Sequence, residues 1–196
     1  MTSTFDFNRE NKIMKKALLT SLLLTSTIAF AQYEIKPEEG YARNIGLMVA
    51  MLEDLKDRIT DQVQDLTLSE TDFEFDDKAN SIGSLVMHLV STEAYFQIET
   101  LEGRKWTEEE QKVLGVGAGL NDTSKHQLKE KPIQHYLDLW GKVRKKTLEG
   151  LKTKDDAWFA SNVDEGMNYH WAWYHVMEHQ ANHMGQIALV KNRLPK

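Results

Sequence analysis

The sequence predicts an all-α protein built as a four-helix bundle, and three observations support this. Four stretches repeat apolar residues at gaps of three and four, which is the spacing of one face of an α-helix. No stretch alternates apolar and polar residues between turn dipeptides, as a strand would. The 196 residues, 41% hydrophobic and 28% charged, have the composition of one globular domain. Four amphipathic helices in such a chain pack most simply as a bundle.

The first two helices are predicted near 38–66 and 79–101. Pro37 precedes the first helix and suits a first helical turn, while Asn80 and Ser81 are both good N-cap residues for the second. The apolar stripe of the first helix is Ile45, Met48, Leu52, Leu55, Ile59, Val63 and Leu66. That of the second is Ile82, Leu85, Val86, Leu89 and Phe96.

The last two helices are predicted near 132–151 and 168–193, and Pro195 ends the fourth. Between the second and third helices lies a long connection, from about residue 103 to residue 131, that allows a crossover. Its segment 115–119 superficially resembles a phosphate-binding glycine loop, but it follows no strand and lacks the required spacing. We therefore expect a flexible connector there.

The N-terminal 31 residues have the pattern of a secretory signal peptide. A basic start at Met14-Lys15-Lys16 leads into an apolar run over 17–28, followed by small residues up to Ala31. This predicts a start at Met14, a mature domain over 32–196, and a periplasmic or secreted protein. The apolar run is short for a membrane span, so no stable span is expected after cleavage. The alternative is a buried or interfacial N-terminal helix.

Charge and cysteine content exclude several functions. The net charge is −6, and removal of residues 1–31, which carry four basic and two acidic side chains, leaves −8. An acidic chain without a basic stripe is a poor partner for nucleic acid, which binds through phosphate neutralisation. Cysteine is absent, so the chain has no disulfide, cysteine nucleophile or thiolate ligand. Any metal must be held by nitrogen or oxygen.

The histidines carry the strongest indication of function. His175, His179 and His183 are four residues apart and lie on one face of the fourth helix. By helical rise the outer two are ~12 Å apart, so one ion can use only an adjacent pair and needs a further ligand from elsewhere. His88 on the second helix is the best candidate, although alone it would be read as a core histidine. Two other histidines have no ligand-spaced neighbour: His126 and His135.

Two known types of metal site do not match the spacing. A zincin protease needs a glutamate as general base after the first histidine of its pair, and Gln180 stands there instead. A ferritin-like di-iron bundle needs glutamates three residues before its histidines. None of the seven histidines has one.

Three segments of the chain form a set that is characteristic of a known family. They are NSIGSLVMHL (80–89), WYHVMEHQANHMGQI (173–187) and the opening of the first helix, YARN (41–44). Together they resemble the DinB-like superfamily of metal-dependent four-helix bundles, over essentially the whole mature chain. The resemblance implies an up-down-down-up bundle in which His88, His179 and His183 bind nickel, zinc or iron. It implies that His175 is a neighbour of the site rather than a ligand. Gln186 faces the same cavity or serves helix packing.

The resemblance implies a metal-dependent enzyme that acts on a small molecule, of hydrolase or thiol-transferase type. The alternatives are a non-catalytic periplasmic protein that binds a metal or small ligand, and a structural bundle with core histidines. No catalytic residue is predicted, and a homodimer is left open. Three aromatic residues beside the histidines line a pocket or, as is commoner for large aromatics on a bundle helix, belong to the core: Trp171, Trp173 and Tyr174.

Overall fold

The computed structural model describes residues 34–195, except for the side chains of residues 122 and 123. The predicted signal segment 1–31 therefore lies outside the described residues. In chain order the helices are α1 Arg43–Val63, α2 Leu68–Thr71, α3 Ile82–Gln97, α4 Glu108–Val113, α5 Asp122–Gln127, α6 Ile133–Leu151, α7 Asp156–Ala160 and α8 Tyr169–Lys191. A π-helical turn, Ile98–Glu102, continues α3, and a 3₁₀ turn, Gly115–Gly117, follows α4.

The predicted all-α bundle is confirmed, and in the described part its four long helices are α1, α3, α6 and α8. Helix α1 begins five residues later than predicted, because Gly40 turns the chain with a φ of 82° before it. Ser81 caps α3 by accepting a hydrogen bond from the Ser84 amide at 3.2 Å. Asn168 caps α8 in the same way, with the Trp171 amide at 2.7 Å.

The apolar stripes of the long helices face one another and form the core. The six predicted apolar residues of α1 from Ile45 to Val63 are all buried, and Leu66 is partly buried. The largest fully buried side chains include Trp140 of α6 and Trp173 of α8. Packing of these faces, rather than local helix propensity, stabilises helices of this length.

A polar network crosses the centre of the bundle. Glu93 of α3 is fully buried, and it accepts hydrogen bonds from Arg144 at 2.7 Å, Trp140 at 2.8 Å and Gln180 at 3.2 Å. Arg144 also donates to the carbonyl oxygen of Leu52 at 2.7 Å. The network thus joins α1, α3, α6 and α8 through one buried ion pair. A buried charge needs such partners because its desolvation is costly.

The connection between α3 and α6 is folded and packs on the bundle, where the sequence predicted a flexible connector. Thr107 caps α4, and Arg104 binds Glu110 through two hydrogen bonds of 2.7 and 2.8 Å. At Gly117 the 3₁₀ turn approaches α3 so closely that an added Cβ would lie 2.6 Å from the Met87 carbonyl oxygen. Glycine is needed at this contact because of space and not because of its backbone angle.

Two short strands, Asn162–Asp164 and Met167–Asn168, pair antiparallel just before α8. They were not predicted, because segments of three and two residues are too short to show an alternation. Over residues 34–195, no helix has the length and apolar character needed to cross a membrane.

Candidate metal centre

Helices α3 and α8 bring three of the predicted histidines together. One ring nitrogen from each of His88, His179 and His183 lies within 4.8 Å of the others. The ring centre of His88 is 4.9 Å from the ring centres of both His179 and His183, and those two are 4.5 Å apart. His179 and His183 converge because they are one helical turn apart on the same face. His88 meets them because α3 packs against α8.

Outer hydrogen bonds orient two of the three rings. Nδ1 of His88 lies 2.8 Å from the carbonyl oxygen of Gly117, and Nδ1 of His183 lies 2.9 Å from Oε1 of Gln186. Since a carbonyl oxygen only accepts, each Nδ1 must donate, and Nε2 is then left with its lone pair. Metal-binding histidines commonly have this arrangement, in which an outer acceptor sets the tautomer.

The donor set suits a divalent ion. Nε2 of His88 and Nε2 of His179 lie only 2.9 Å apart. Two nitrogen lone pairs at that distance need a proton or a cation between them. Imidazole nitrogen binds zinc, nickel and iron alike, so the donors fit the class of metal without selecting one.

The surroundings of His179 and His183 favour their neutral forms. Burial, together with the positive charges that His183, His88 and His175 would carry, lowers the pKa of His179 to about 4. His183 is 6% exposed, and burial lowers its pKa as well, against a smaller upward effect of the Gln186 hydrogen bond. Neutral imidazole is the form that binds metal ions, so both side chains are able to bind one at neutral pH.

His175 lies beside the cluster and is not one of the three. Its Nδ1 is 2.9 Å from Oε1 of Glu178, and its ring stacks on Trp171 with centres 5.2 Å apart. The ring centre is 5.4 Å from that of His179. The two remaining candidates, His126 and His135, are exposed and do not join the cluster.

A cavity of about 620 Å³ opens beside His179. Its walls include Thr92, Tyr95, Phe96, Trp106, His175 and His179. The aromatic residues that the sequence placed near the site are not part of this lining. Trp173 is fully buried in the core, Tyr174 is half exposed, and Trp171, also half exposed, stacks on His175. The aromatic part of the lining comes instead from α3 and the connection after it.

Sequence reasoning missed two groups that support the centre. Gly117 holds the His88 ring from 29 positions away, and its glycine-rich segment was interpreted as a simple connector. The ion pair of Glu93 and Arg144 reaches α8 through Gln180, which directly follows His179. The inward position of Glu93 on the second predicted helix is a signal that could have indicated a buried ion pair.

The fold and the three-histidine cluster define a DinB-like helical bundle. The family model described as Mycothiol-S-transferase matches residues 47–195, and the chain belongs to this family, which is part of the DinB-like superfamily. The matched segment contains all three clustered histidines and the whole of α3, α6 and α8. No curated protein matches the chain. The family indicates an enzyme of the thiol-transferase type.

Proposed function

We propose that this protein is a metal-dependent S-transferase, which joins a low-molecular-weight thiol to a small electrophile at a centre formed by His88, His179 and His183. The observation that carries the proposal is the convergence of three imidazoles, two of them oriented by outer carbonyl oxygens. Membership in the Mycothiol-S-transferase family supports the reaction class. Zinc, nickel and iron are the candidate metals.

His88, His179 and His183 would hold the divalent ion, which would supply an open coordination position and lower the pKa of a thiol bound there. In the reaction the sulfur forms a bond to the electrophilic carbon. The bond to the leaving group breaks with its electron pair or, in an addition, a carbon–carbon double bond opens. The thiol proton passes to a base of the protein and from there to solvent or, in an addition, to the adjacent carbon, so no oxidant or reductant is needed.

The chain's own residues orient the reactants and provide a place for the proton. His175 lines the cavity, and because its Nδ1 faces the carboxylate of Glu178, its Nε2 is left to accept a proton. The hydroxyl oxygen of Thr92 lies 3.5 Å from Nε2 of His179 and adds a polar group at the same wall. Tyr95, Phe96 and Trp106 add apolar wall beside these groups.

The test is a transfer assay on protein purified without a histidine tag, before and after metal removal. Mycothiol, glutathione and cysteine are each offered with a small electrophile, and the thioether product is measured by mass spectrometry. We expect the product to require metal and to be lost in His88→Ala. Metal binding without any metal-dependent thioether would contradict the proposal and favour the non-catalytic alternative. Metal-dependent cleavage of esters or amides would favour a hydrolase.

We also propose that the protein is exported and that its mature chain begins at Gln32. The support is the basic, apolar and small-residue pattern over residues 14–31. An exported transferase uses a thiol that is available outside the cytoplasm. The choice of thiol in the assay is therefore itself informative.

A further inference from the structure

We propose that the cavity beside the histidine cluster binds the electrophilic substrate, and that this substrate is a neutral aromatic compound. This inference deepens the proposed function and rests on it. It assigns a substrate class to the site, and it assigns Tyr95, Phe96 and Trp106 as the residues that select it.

Three aromatic side chains surround the cavity with their rings set at angles to one another. The ring centre of Tyr95 is 5.3 Å from that of Phe96, at 86°, and 6.5 Å from that of Trp106, at 50°. Phe96 is also 5.6 Å from His175, at 67°. Aromatic rings attract one another in offset and edge-to-face geometries. A planar ring placed among them therefore finds both stacking faces and ring edges.

The cavity reaches the reacting centre. Thr92 and His179 line the same space as the aromatic residues, and His179 also belongs to the three-histidine cluster. A ligand held by the aromatic wall thus has one end at the centre. The volume of about 620 Å³ lies within the range of about 300–1,000 Å³ that is usual for small-molecule sites.

The charged side chains at the cavity select neither an anion nor a cation. Its lining includes one acidic residue, Glu99, and one basic residue, Lys105, and both are exposed. Opposite charges on one lining give no strong preference for an anion or a cation, and exposed charges are screened by salt. Selection therefore comes from the aromatic walls. Glu99 belongs to the π-helical turn after α3, and such turns are frequent at functional sites.

Tyr95 offers a matched test because it is 48% exposed, so its removal leaves the core intact. Tyr174 on α8 is also 48% exposed but lies outside the cavity lining, and it serves as the control. The first measurement is equilibrium dialysis of 1,3-dinitrobenzene, a neutral aromatic compound without a leaving group, against metal-loaded protein. We expect Tyr95→Ala to weaken binding about tenfold and Tyr174→Ala to leave it unchanged. Circular dichroism checks that both variants are folded.

The second measurement compares two electrophiles with the same thiol. In 1-chloro-2,4-dinitrobenzene the new S–C bond replaces a C–Cl bond and chloride leaves, while in iodoacetamide an aliphatic carbon loses iodide; the thiol proton goes to solvent in both. We expect Tyr95→Ala to raise KM about tenfold for the aromatic compound and to leave iodoacetamide unchanged. Tyr95→Phe should restore the wild-type KM, because the wall acts through its ring.

The outcomes separate this inference from the proposed function. If thioether forms at the metal but Tyr95→Ala keeps the wild-type KM for both electrophiles, the cavity assignment is wrong and the transferase stands. If dinitrobenzene binds and Tyr95→Ala loses it while no thioether forms with any metal, the aromatic site stands and the transferase does not. Failure of dinitrobenzene to bind wild-type protein overturns the cavity assignment directly.

Discussion

Two of the three histidines in the cluster are oriented by a partner outside it. His88 is held by a backbone carbonyl and His183 by a carboxamide, while His179 faces His88 directly. His175 instead uses its Nδ1 toward Glu178 and stacks on Trp171. His88, His179 and His183 therefore share one centre, while His175 lies beside it in a different environment.

Substitutions at His179 and His175 distinguish a proposed metal ligand from a neighbour of the cluster. His179→Ala leaves two imidazoles, so we expect metal affinity to fall by more than the roughly 10–100-fold that loss of an outer partner costs. His175→Ala should weaken metal binding by less than about tenfold, since it removes a neighbour of the cluster. Competition with a chelating dye measures both. Equal loss in the two variants would mean that the ligand set is wrong.

The buried carboxylate of Glu93 is expected to control stability. Glu93→Gln leaves the charge of Arg144 buried and poorly paired, which should cost about 3 kcal/mol. Glu53 also binds Arg144, at 2.6 Å, but its side chain is 42% exposed. Glu53→Gln should therefore cost less than about 1 kcal/mol. Urea unfolding at pH 7 compares the two, and a similar loss in both would contradict the assigned role of burial.

The carboxylate of Glu93 should also make the stability of the fold depend on pH. Burial by itself raises the pKa of Glu93, but the charge and hydrogen bonds of Arg144, with the hydrogen bond of Trp140, bring it below the ordinary value of 4.5. A lowered folded-state pKa means that the carboxylate stabilises the fold above pH 4.5 and that this contribution is lost as the pH falls through the folded-state value. Melting temperatures between pH 7 and 3 should fall more for wild type than for Glu93→Gln.

At the scale of the elements, the connection between α3 and α6 is part of the site. Its 3₁₀ turn supplies the carbonyl that orients His88. The hydroxyl group of Ser91 in α3 lies between the carbonyl oxygen of Met87, at 2.9 Å, and that of Leu114, and it shares its one proton between them. The turn and the helix thus approach backbone to backbone. The close approach explains why position 117 needs a glycine: a larger residue would not fit between the turn and the helix.

Two glycine-to-alanine changes test this contact. At Gly117 the new Cβ would meet Ser91 Oγ at 2.5 Å and the Met87 carbonyl oxygen at 2.6 Å, so the turn must shift and His88 loses its acceptor. We expect metal affinity to fall about 10–100-fold. Gly141 in α6 has nothing within 4 Å, so Gly141→Ala should keep affinity and add about 0.5–1 kcal/mol of stability. Unchanged metal affinity in Gly117→Ala would show that the connection does not support the metal centre.

For the whole molecule, fold and metal are expected to be separable. The helices are stabilised by buried apolar faces and by the network of Glu93 and Arg144, neither of which includes the ion. Chelation should therefore leave the far-ultraviolet circular dichroism spectrum unchanged. Added metal should raise the melting temperature as its concentration exceeds Kd, because it binds the folded state. Unfolding on chelation would show that the centre is structural.

Export is a second prediction at the level of the whole chain. Protein recovered from the native host should begin at Gln32 and be found in the periplasm or medium, since the segment before it has the order of regions that signal peptidase requires. N-terminal sequencing of the recovered protein makes the measurement. An intact segment 14–31 on cytosolic protein would show that the apolar run serves another purpose.

Local sequence patterns are enough to predict the long helices and the helix face that carries the histidines. Apolar spacing is a local property, so the stripe from Ile45 to Val63 predicts a buried helix face without knowledge of its partner. In the same way, a spacing of four residues places His179 and His183 together in any helix. The glutamine that follows His179 was also enough to exclude a zincin.

The partner of each helix face, in contrast, depends on how the helices pack. His88 and His179 are separated by 91 positions, and the 2.9 Å between their nitrogens depends on how α3 packs against α8. The carbonyl of Gly117, the pairing of Glu93 with Arg144 and the aromatic wall around Tyr95 arise in the same way, from helices and a connection that are distant in the chain. Periodicity specifies which side of a helix is buried, but the choice of neighbour is made by the packing of all faces at once.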